Sequence, residues 1–298
     1  MSQRIYWYTT AVLAEKFGIE LHAVQVLSTH MHEVLTDVRG NLPAFIRERN
    51  RALANALKCH RKWPEEVFQR APANCVQLLG EAAVLKEIAY VLANCVKAGL
   101  VESPEQWRGV GVTAADIGKR VVRVKRPPLY FDPRNPVWPD EAEIAIVMPA
   151  SVRATFCEQA SAAIQRVVRT AVANAREAVR RAGRLFSTMA DVFATPFARR
   201  SSSFERFGGR EPTFATGGQA ENAVQARSQR RAFLDAYRSA KRAIKDDEPC
   251  HFPEGTWRWL VELLPQRFQC QTGLAETGLA NGTGPAAGGG AAVSGFPP

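Results

Sequence analysis

The order of helix-like and strand-like segments in the first hundred residues most constrains how this chain can fold. Apolar residues recurring every three or four positions indicate helices, and β-rich runs bounded by turn residues indicate strands. The second strand reads as the neighbour of the first and closes at a stretch of turn composition, DVRGN. The predicted order is helix 2–17, strand 19–28, strand 31–37, helix 42–60, strand 75–79 and helix 81–101. This order predicts an α+β domain in which helices pack in layers against a sheet.

Two of these helices carry boundary signals of their own. Pro43 lies in the first turn of helix 42–60, where the missing backbone N–H has no intrahelical partner to lose. Gly99 follows the apolar part of helix 81–101 and is expected to form its C-cap.

The rest of the chain is less regular. Residues 105–150 are rich in proline and are expected to lie on a surface or wrap around one. A basic helix is predicted at 151–183 and another at 220–244, with a stretch rich in Ser, Gly and Arg at 199–219 between them. The last 28 residues are of low complexity and are expected to be disordered, because they have little to bury. The expected domains are a core at 1–110, a proline-rich wrapping segment at 111–150, a basic helical C-terminal extension at 151–270 and a tail at 271–298.

The charge of the chain is large and localised. The net charge is +10, and residues 151–245 hold 18 Lys and Arg against 7 Asp and Glu. A cationic segment beside a nearly neutral domain favours a polyanionic partner, nucleic acid above all. The alternative is a solvated charged helix without a partner.

Neither a membrane span nor a disulfide framework is indicated. No apolar run approaches the roughly 20 residues that a membrane-spanning helix requires, and aromatic and charged residues interrupt the N-terminal stretch where a secretory signal would be apolar. The six cysteines contain no C-x-x-C pair, so a zinc knuckle is not indicated either. We expect a cytoplasmic protein with reduced thiols and no membrane partner.

Four residues form the candidate chemical site. His30 and His32 are two of five histidines and, as residues i and i+2 of a strand, project from the same side of the sheet. They are either a solvated pair or metal ligands. Tyr90 and Asn94 are four residues apart and share a helical face, although each alone has an ordinary structural explanation. Taken together, two imidazoles and an amide oxygen could hold a divalent metal with positions open for phosphate oxygens, beside a tyrosine able to attack phosphorus.

These residues lie in motifs that resemble a known family. The stretch STHMHEVLTD resembles the His-hydrophobic-His motif of the HUH single-tyrosine transposases, and YVLANCVKAGLVESPEQW resembles their tyrosine-bearing helix. The chain is most similar to the repeat-associated tyrosine transposases of bacteria. Segments 125–146, 195–200, 232–244 and 252–260 resemble the C-terminal extension of one bacterial branch, so the resemblance covers about residues 5 to 270.

The resemblance implies a fold, a reaction and a role for each residue. The fold is a ferredoxin-like antiparallel sheet with packed helices. His30, His32 and Asn94 would be ligands of Mg²⁺ or Mn²⁺, and Tyr90 the nucleophile. The implied enzyme nicks and rejoins single-stranded DNA, generally hairpin or palindromic, through a 5′-phosphotyrosine intermediate. It would work in the cytoplasm at the nucleoid, as a monomer or homodimer.

The two basic helices are the candidate DNA-binding elements. Phosphate contacts from arginine position DNA without reading its sequence. The candidates are Arg166, Arg169, Arg176, Arg180, Arg181 and Arg184 in the first helix, and Arg230, Arg231 and Arg238 in the second. Trp107, Trp138 and Trp257 could stack on unpaired bases, with core packing as the alternative.

The chain also departs from the family pattern. The family carries a central strand ahead of the first helix, and this strand is expected to be missing here. Thr29 replaces an asparagine, Glu33 an apolar residue and Cys95 a proline, and the Gly/Ala-rich tail has no counterpart. The alternative function is therefore that of a catalytically inactive, truncated relative that only binds DNA or RNA.

Overall fold

The computed structural model describes residues 1–68, 73–196, 199, 213–253 and 291–295, the last five as backbone only. In the first hundred residues the elements follow the predicted order, and their ends lie close to the predicted ones. They are α1 (Ser2–Phe17), β1 (Ile19–Val26), β2 (Met31–Asp37), α2 (Leu42–Arg61), β3 (Asn74–Leu78) and α3 (Glu81–Lys97). The predicted α+β fold class is confirmed.

Both faces of the sheet are covered by helices. From β2, the Glu33 carboxylate reaches Arg49 on α2, whereas the neighbouring His32 ring contacts Tyr90 on α3. Because successive residues of a strand point to opposite faces, α2 and α3 lie on opposite sides of the sheet. α3 is rich in Ala, Leu and Val, and most of its residues are buried in the core.

The sheet has the strand order β1-β2-β7-β3-β6, in which β6 is Phe214–Ala215 and β7 is Ala291–Gly295. β7 pairs antiparallel with both β2 and β3. The expectation of a disordered tail is therefore wrong for 291–295, while 271–290 and 296–298 lie outside the described residues. β7 occupies the central place that the resemblance gives to a strand ahead of α1.

The proline-rich segment contains a hairpin that the sequence did not predict. β4 (Val121–Lys125) and β5 (Glu141–Ala145) pair antiparallel and pack on α1. Between them, Phe131 and Trp138 contact Tyr8, whose hydroxyl donates to the Pro139 carbonyl at 2.6 Å. The segment is thus fixed to α1 by aromatic packing.

The first basic helix is interrupted. α4 (Ala150–Phe156) and α5 (Ala160–Arg181) replace the single predicted helix, because the backbone at Cys157 has a φ of 49° that no α-helix allows. α5 packs along α3, and a short helix, α6 (Met189–Ala194), follows.

The compact units do not follow the predicted domains. One unit is Met1–Gln219 with Gly290–Pro298, and the other is Ala220–Gly289. No boundary occurs near residue 110, since Val26 donates to the Val110 carbonyl at 2.9 Å and Val147 to the Leu21 carbonyl at 2.8 Å. In the second unit, α7 (Ala220–Lys245) matches the predicted helix 220–244. Among the described residues, no helix is long and apolar enough to cross a membrane.

Candidate active site

The two candidate histidines lie at the start of β2. His30 immediately precedes the strand and His32 is its second residue, with the ring centroids 5.0 Å apart. A β-bulge at His22 shifts the register of β1, so that Gln25 is paired with His32. At His32, β2 is therefore paired with β1 on one edge and with β7 on the other.

The tyrosine and the asparagine reach these histidines from α3. The Tyr90 ring centroid is 5.2 Å from that of His32, and Tyr90 is 37% exposed. Asn94 is buried, and its amide nitrogen is 3.2 Å from Nε2 of His30. The structure thus brings together four side chains from two segments that are distant in the sequence, with the tyrosine on the solvent side.

The environment of His32 favours neutral imidazole. The pKa of His32 is lowered to about 4, chiefly by burial and then by the charges of His30 and Lys97. His30 Nδ1 lies 3.0 Å from the Thr29 hydroxyl. Thr29, which departs from the family pattern, therefore still supplies a hydrogen-bonding group to that ring nitrogen and orients the ring.

The donor set fits a divalent cation that accepts both nitrogen and oxygen. A neutral imidazole has a lone pair available for a metal, and the Asn94 amide can present its oxygen after a rotation that exchanges O and N. No cluster of three His, Cys, Asp or Glu side chains suited to a metal occurs in the described parts of the chain. The protein's contribution would accordingly be two imidazoles and one amide, a set that suits Mn²⁺ better than Mg²⁺.

Lys97 is a site residue that sequence reasoning missed. Its ammonium nitrogen lies 4.8 Å from the centroid of the Tyr90 ring. Lys97 is seven residues after Tyr90, which is two helical turns, so its position on the same face could have been recognised from spacing alone. A cation at this point favours negative charge developing on the phenol.

The opposite face of β2 explains the acidic residue at position 33, another difference from the family that the motifs resemble. Glu33 and Arg49 are both fully buried, and Nη1 of Arg49 is 2.7 Å from each carboxylate oxygen. The Tyr6 hydroxyl also donates to Glu33, and burial beside this carboxylate raises the pKa of Tyr6. Glu33 is thus a matched partner in a polar cluster beneath the histidine-bearing strand, where the family has an apolar residue.

The candidate DNA-binding arginines of α5 and of the residues just after it differ in their contacts. Arg166, Arg169 and Arg180 are exposed and form no ion pair with another described residue. Arg176 donates to the Glu102 carbonyl and Arg184 to the Ala98 carbonyl, each at 2.5 Å. These two arginines hold the loop after α3, which makes their main role structural.

Two further contacts bear on this group. Arg181 forms an ion pair with Glu177 at 2.8 Å, within its own helix. A Cβ at Gly99 would lie 2.8 Å from Nη2 of Arg184, and Gly99 has a φ of 75°. Glycine is therefore required where α3 ends, as its predicted role as a cap implies.

The candidate arginines of the second unit lie on one exposed helix. Arg230, Arg231 and Arg238 line a shallow depression of about 320 Å³ on α7, together with Arg227, which sequence reasoning missed. Arg238 lies 3.5 Å from Asp235, the one acidic residue of this lining.

Two of the three candidate tryptophans, Trp107 and Trp138, pack against the hydrophobic core. Trp138 packs in the aromatic cluster on α1, and Trp107 is half-buried with its indole N–H donating to the Val110 carbonyl at 3.3 Å. Trp257 lies outside the described residues. Core packing thus accounts for Trp138.

No family model, curated protein or solved structure matches this chain.

Proposed function

We propose that this chain is a transposase-like enzyme that nicks and rejoins single-stranded DNA through a covalent tyrosine intermediate. The observation that carries the proposal is the meeting of Tyr90 with the His30–His32 pair and Asn94 at contact distance. Accidental motif pairs do not have to converge in space, so this convergence supports a shared chemical task.

The proposed step is an exchange of one phosphorus–oxygen bond for another. The Tyr90 oxygen attacks the scissile phosphorus and forms a 5′-phosphotyrosine, while the bond to the 3′ oxygen breaks and that oxygen leaves as a hydroxyl after taking up a proton. A 3′-hydroxyl of the same or another strand reverses the step. Since the number of phosphodiester-type bonds is unchanged, rejoining needs no ATP.

The site residues have distinct parts in this step. His30, His32 and Asn94 would hold the divalent cation, which when bound supplies positive charge to the phosphate oxygens. Tyr90 is partly exposed, as a residue that attacks an incoming DNA strand needs to be. Lys97 lies over its ring and supports the charge that develops as the phenol, of ordinary pKa about 10, loses its proton.

The exposed arginines supply the contacts that such a substrate needs. Arg166, Arg169 and Arg180 on α5 present positive charge in the same compact unit as the site. Arg230, Arg231 and Arg238 present it in the second unit. Phosphate contacts of this kind favour a structured single strand over a neutral ligand.

A trapping experiment tests the proposal. Hairpin oligonucleotides are incubated with the protein and Mn²⁺, and a covalent protein–DNA adduct is sought on a denaturing gel. The adduct should form with the wild type and disappear in Tyr90→Phe, because phenylalanine lacks the attacking oxygen. Tyr130→Phe, which alters another exposed tyrosine, should leave it unchanged. An adduct that persists in Tyr90→Phe would show that the nucleophile is misassigned.

The same experiment distinguishes the proposed enzyme from the alternative, a relative that only binds nucleic acid. An inactive nucleic-acid-binding relative needs only the basic surface, which the exposed arginines of α5 and α7 also support. Binding of the hairpin without any adduct, over a range of Mn²⁺ and Mg²⁺ concentrations, would favour this alternative.

A further inference from the structure

The central strand of the sheet comes from the far end of the chain. Val293 of β7 is in register with Val34 of β2 on one side and with Val76 of β3 on the other. Without β7, the facing edges of β2 and β3 would expose unpaired N–H and C=O groups to each other. The gap between them is therefore shaped for one extended segment.

The outer edges of the sheet are covered by other parts of the chain. Val112 donates to the Val24 carbonyl at 3.1 Å on the β1 side, and β6 pairs with β3 on the other side. Gly217, just after β6, lies so close to α3 that a Cβ would be 2.6 Å from its backbone. Because both outer edges of the sheet are covered, the gap between β2 and β3 is the place where a strand inserts.

The structure describes β7 through its backbone pairing with β2 and β3. Its five residues are AAVSG, which include three Ala or Gly residues of low strand propensity. Among the described residues, its principal neighbours are the flanking strands rather than a helix. By contrast, β1 and β2 both pack against α3. Removing β7 would therefore break two ladders while leaving the packing of α3 on the sheet in place.

We propose that the gap between β2 and β3 is an acceptor groove for an extended peptide, and that residues 291–295 are its tethered, displaceable ligand. The groove binds the strand by main-chain pairing, as in recognition by strand addition. Residues 254–290 join β7 to the preceding described segment. Because this covalent connection keeps β7 close to the groove, its effective concentration there is high, and weak pairing is sufficient for β7 to bind.

Occupancy of the groove bears directly on the histidine-bearing strand. His32 is in register with Gly295, so the inserted strand pairs with β2 at the residue that faces Tyr90. The acceptor groove is inferred from pairing alone and goes beyond the proposed function, whether or not the site cleaves DNA.

A native cysteine makes the insertion testable in the full chain. Cys75 is an unbonded, exposed thiol on β3, and its register partner is Ser294. Ser294→Cys should form an intramolecular disulfide with Cys75 on mild oxidation, because paired residues of neighbouring strands lie within disulfide range. Ser294→Cys in a Cys75→Ser background should not. Ala291→Cys, whose partner is Leu78, should cross-link at least tenfold less.

Displacement is measured with a free peptide of residues 286–298, AAGGGAAVSGFPP. Added in excess before oxidation, it should lower the yield of the 75–294 disulfide at least fivefold, whereas the same peptide with Val293→Pro should not, because proline removes a ladder donor. No cross-link in Ser294→Cys would show that the tail does not occupy the groove. A cross-link insensitive to the peptide would show a fixed strand. Either result overturns the proposal, and neither readout depends on DNA cleavage.

Discussion

At the scale of single residues, the buried ion pair of Glu33 and Arg49 allows the clearest prediction about the stability of the fold. Both side chains are fully buried, and Tyr6 donates to the same carboxylate. Arg49→Met would leave the Glu33 carboxylate without its counter-charge, which costs about 3–5 kcal/mol of unfolding free energy. Urea denaturation followed by far-UV circular dichroism measures this loss.

A matched variant separates the loss of charge balance from the loss of packing. Replacing the whole cluster, as Tyr6→Phe, Glu33→Leu and Arg49→Met together, should recover most of that stability, because well-packed apolar residues can substitute for a buried ion pair. If the single and triple variants were equally destabilised, packing rather than charge would explain the effect.

Lys97 allows a second prediction at this scale. Lys97→Met removes the cation over the Tyr90 ring and should slow adduct formation about two- to fivefold, in line with about 0.5–1 kcal/mol for an exposed cation–π contact. Lys97→Arg should stay near the wild-type rate. Single-turnover kinetics at saturating hairpin DNA is the measurement, and identical rates for Met and Lys would exclude the role.

The sequence motifs indicated the four candidate residues that meet in the structure, but not the residues that support them. His30, His32, Tyr90 and Asn94 belong to motifs with characteristic spacing. The cluster of Glu33, Arg49 and Tyr6 depends on which faces of β2 and two helices meet, and one-dimensional spacing does not determine this. Lys97 could have been predicted from its spacing, because it follows Tyr90 by two helical turns.

At the scale of secondary-structure elements, long periodic segments were predictable and short pairings were not. α2 and α3 carry clear apolar stripes, whereas β4 and β5 are five-residue strands separated by a proline-rich loop. β6 has two residues and β7 is rich in small ones, and their pairing with β3 is between parts of the chain that are distant in sequence. Local pattern therefore carried little information about them.

The arginines of α5 give a prediction at this scale. Arg166, Arg169 and Arg180 fall within one sector of about 60° around the helix, at about 100° per residue. Changing all three to Gln should weaken binding of hairpin DNA and lower the slope of log affinity against log salt by about 2, at about 0.7 per phosphate contact on a single strand. Fluorescence anisotropy at several salt concentrations measures both.

The matched control uses arginines of the same helical region. Arg176→Gln with Arg184→Gln removes the hydrogen bonds to the loop after α3 and should lower the melting temperature, with little effect on the salt slope. A slope that fell equally in both sets would show that the distinction between exposed and structural arginines is wrong.

At the scale of the whole molecule, His22 joins three parts of the first compact unit. It is fully buried at the bulge of β1, its Nδ1–H donates to the Val147 carbonyl at 2.9 Å, and its Nε2 accepts from the Thr36 hydroxyl at 2.7 Å. Burial lowers its pKa below the ordinary 6.5. Residues on either side of the predicted boundary at 110 therefore meet at one titratable group.

The sign of the pH dependence follows from that lowered pKa. Above pH 6.5 the imidazole is neutral in both the folded and the unfolded chain; below it, the unfolded chain takes up a proton that the folded chain resists. Stability should fall as the pH drops below 6.5, and His22→Gln should make this fall shallower. Urea denaturation between pH 7.5 and 5 tests this, with the exposed His251→Gln as control. An unchanged pH profile in His22→Gln would contradict it.

The strand order also has a consequence for biosynthesis. β2, with its histidines, leaves the ribosome well before β7, because the two strands are far apart in the sequence. Until β7 emerges, a nascent chain can assemble β1, β2 and α3 but leaves one side of the histidine strand open. The central sheet is therefore completed only after most of the preceding chain has been made, and a chain that stopped before β7 would have an adhesive edge beside the candidate catalytic residues.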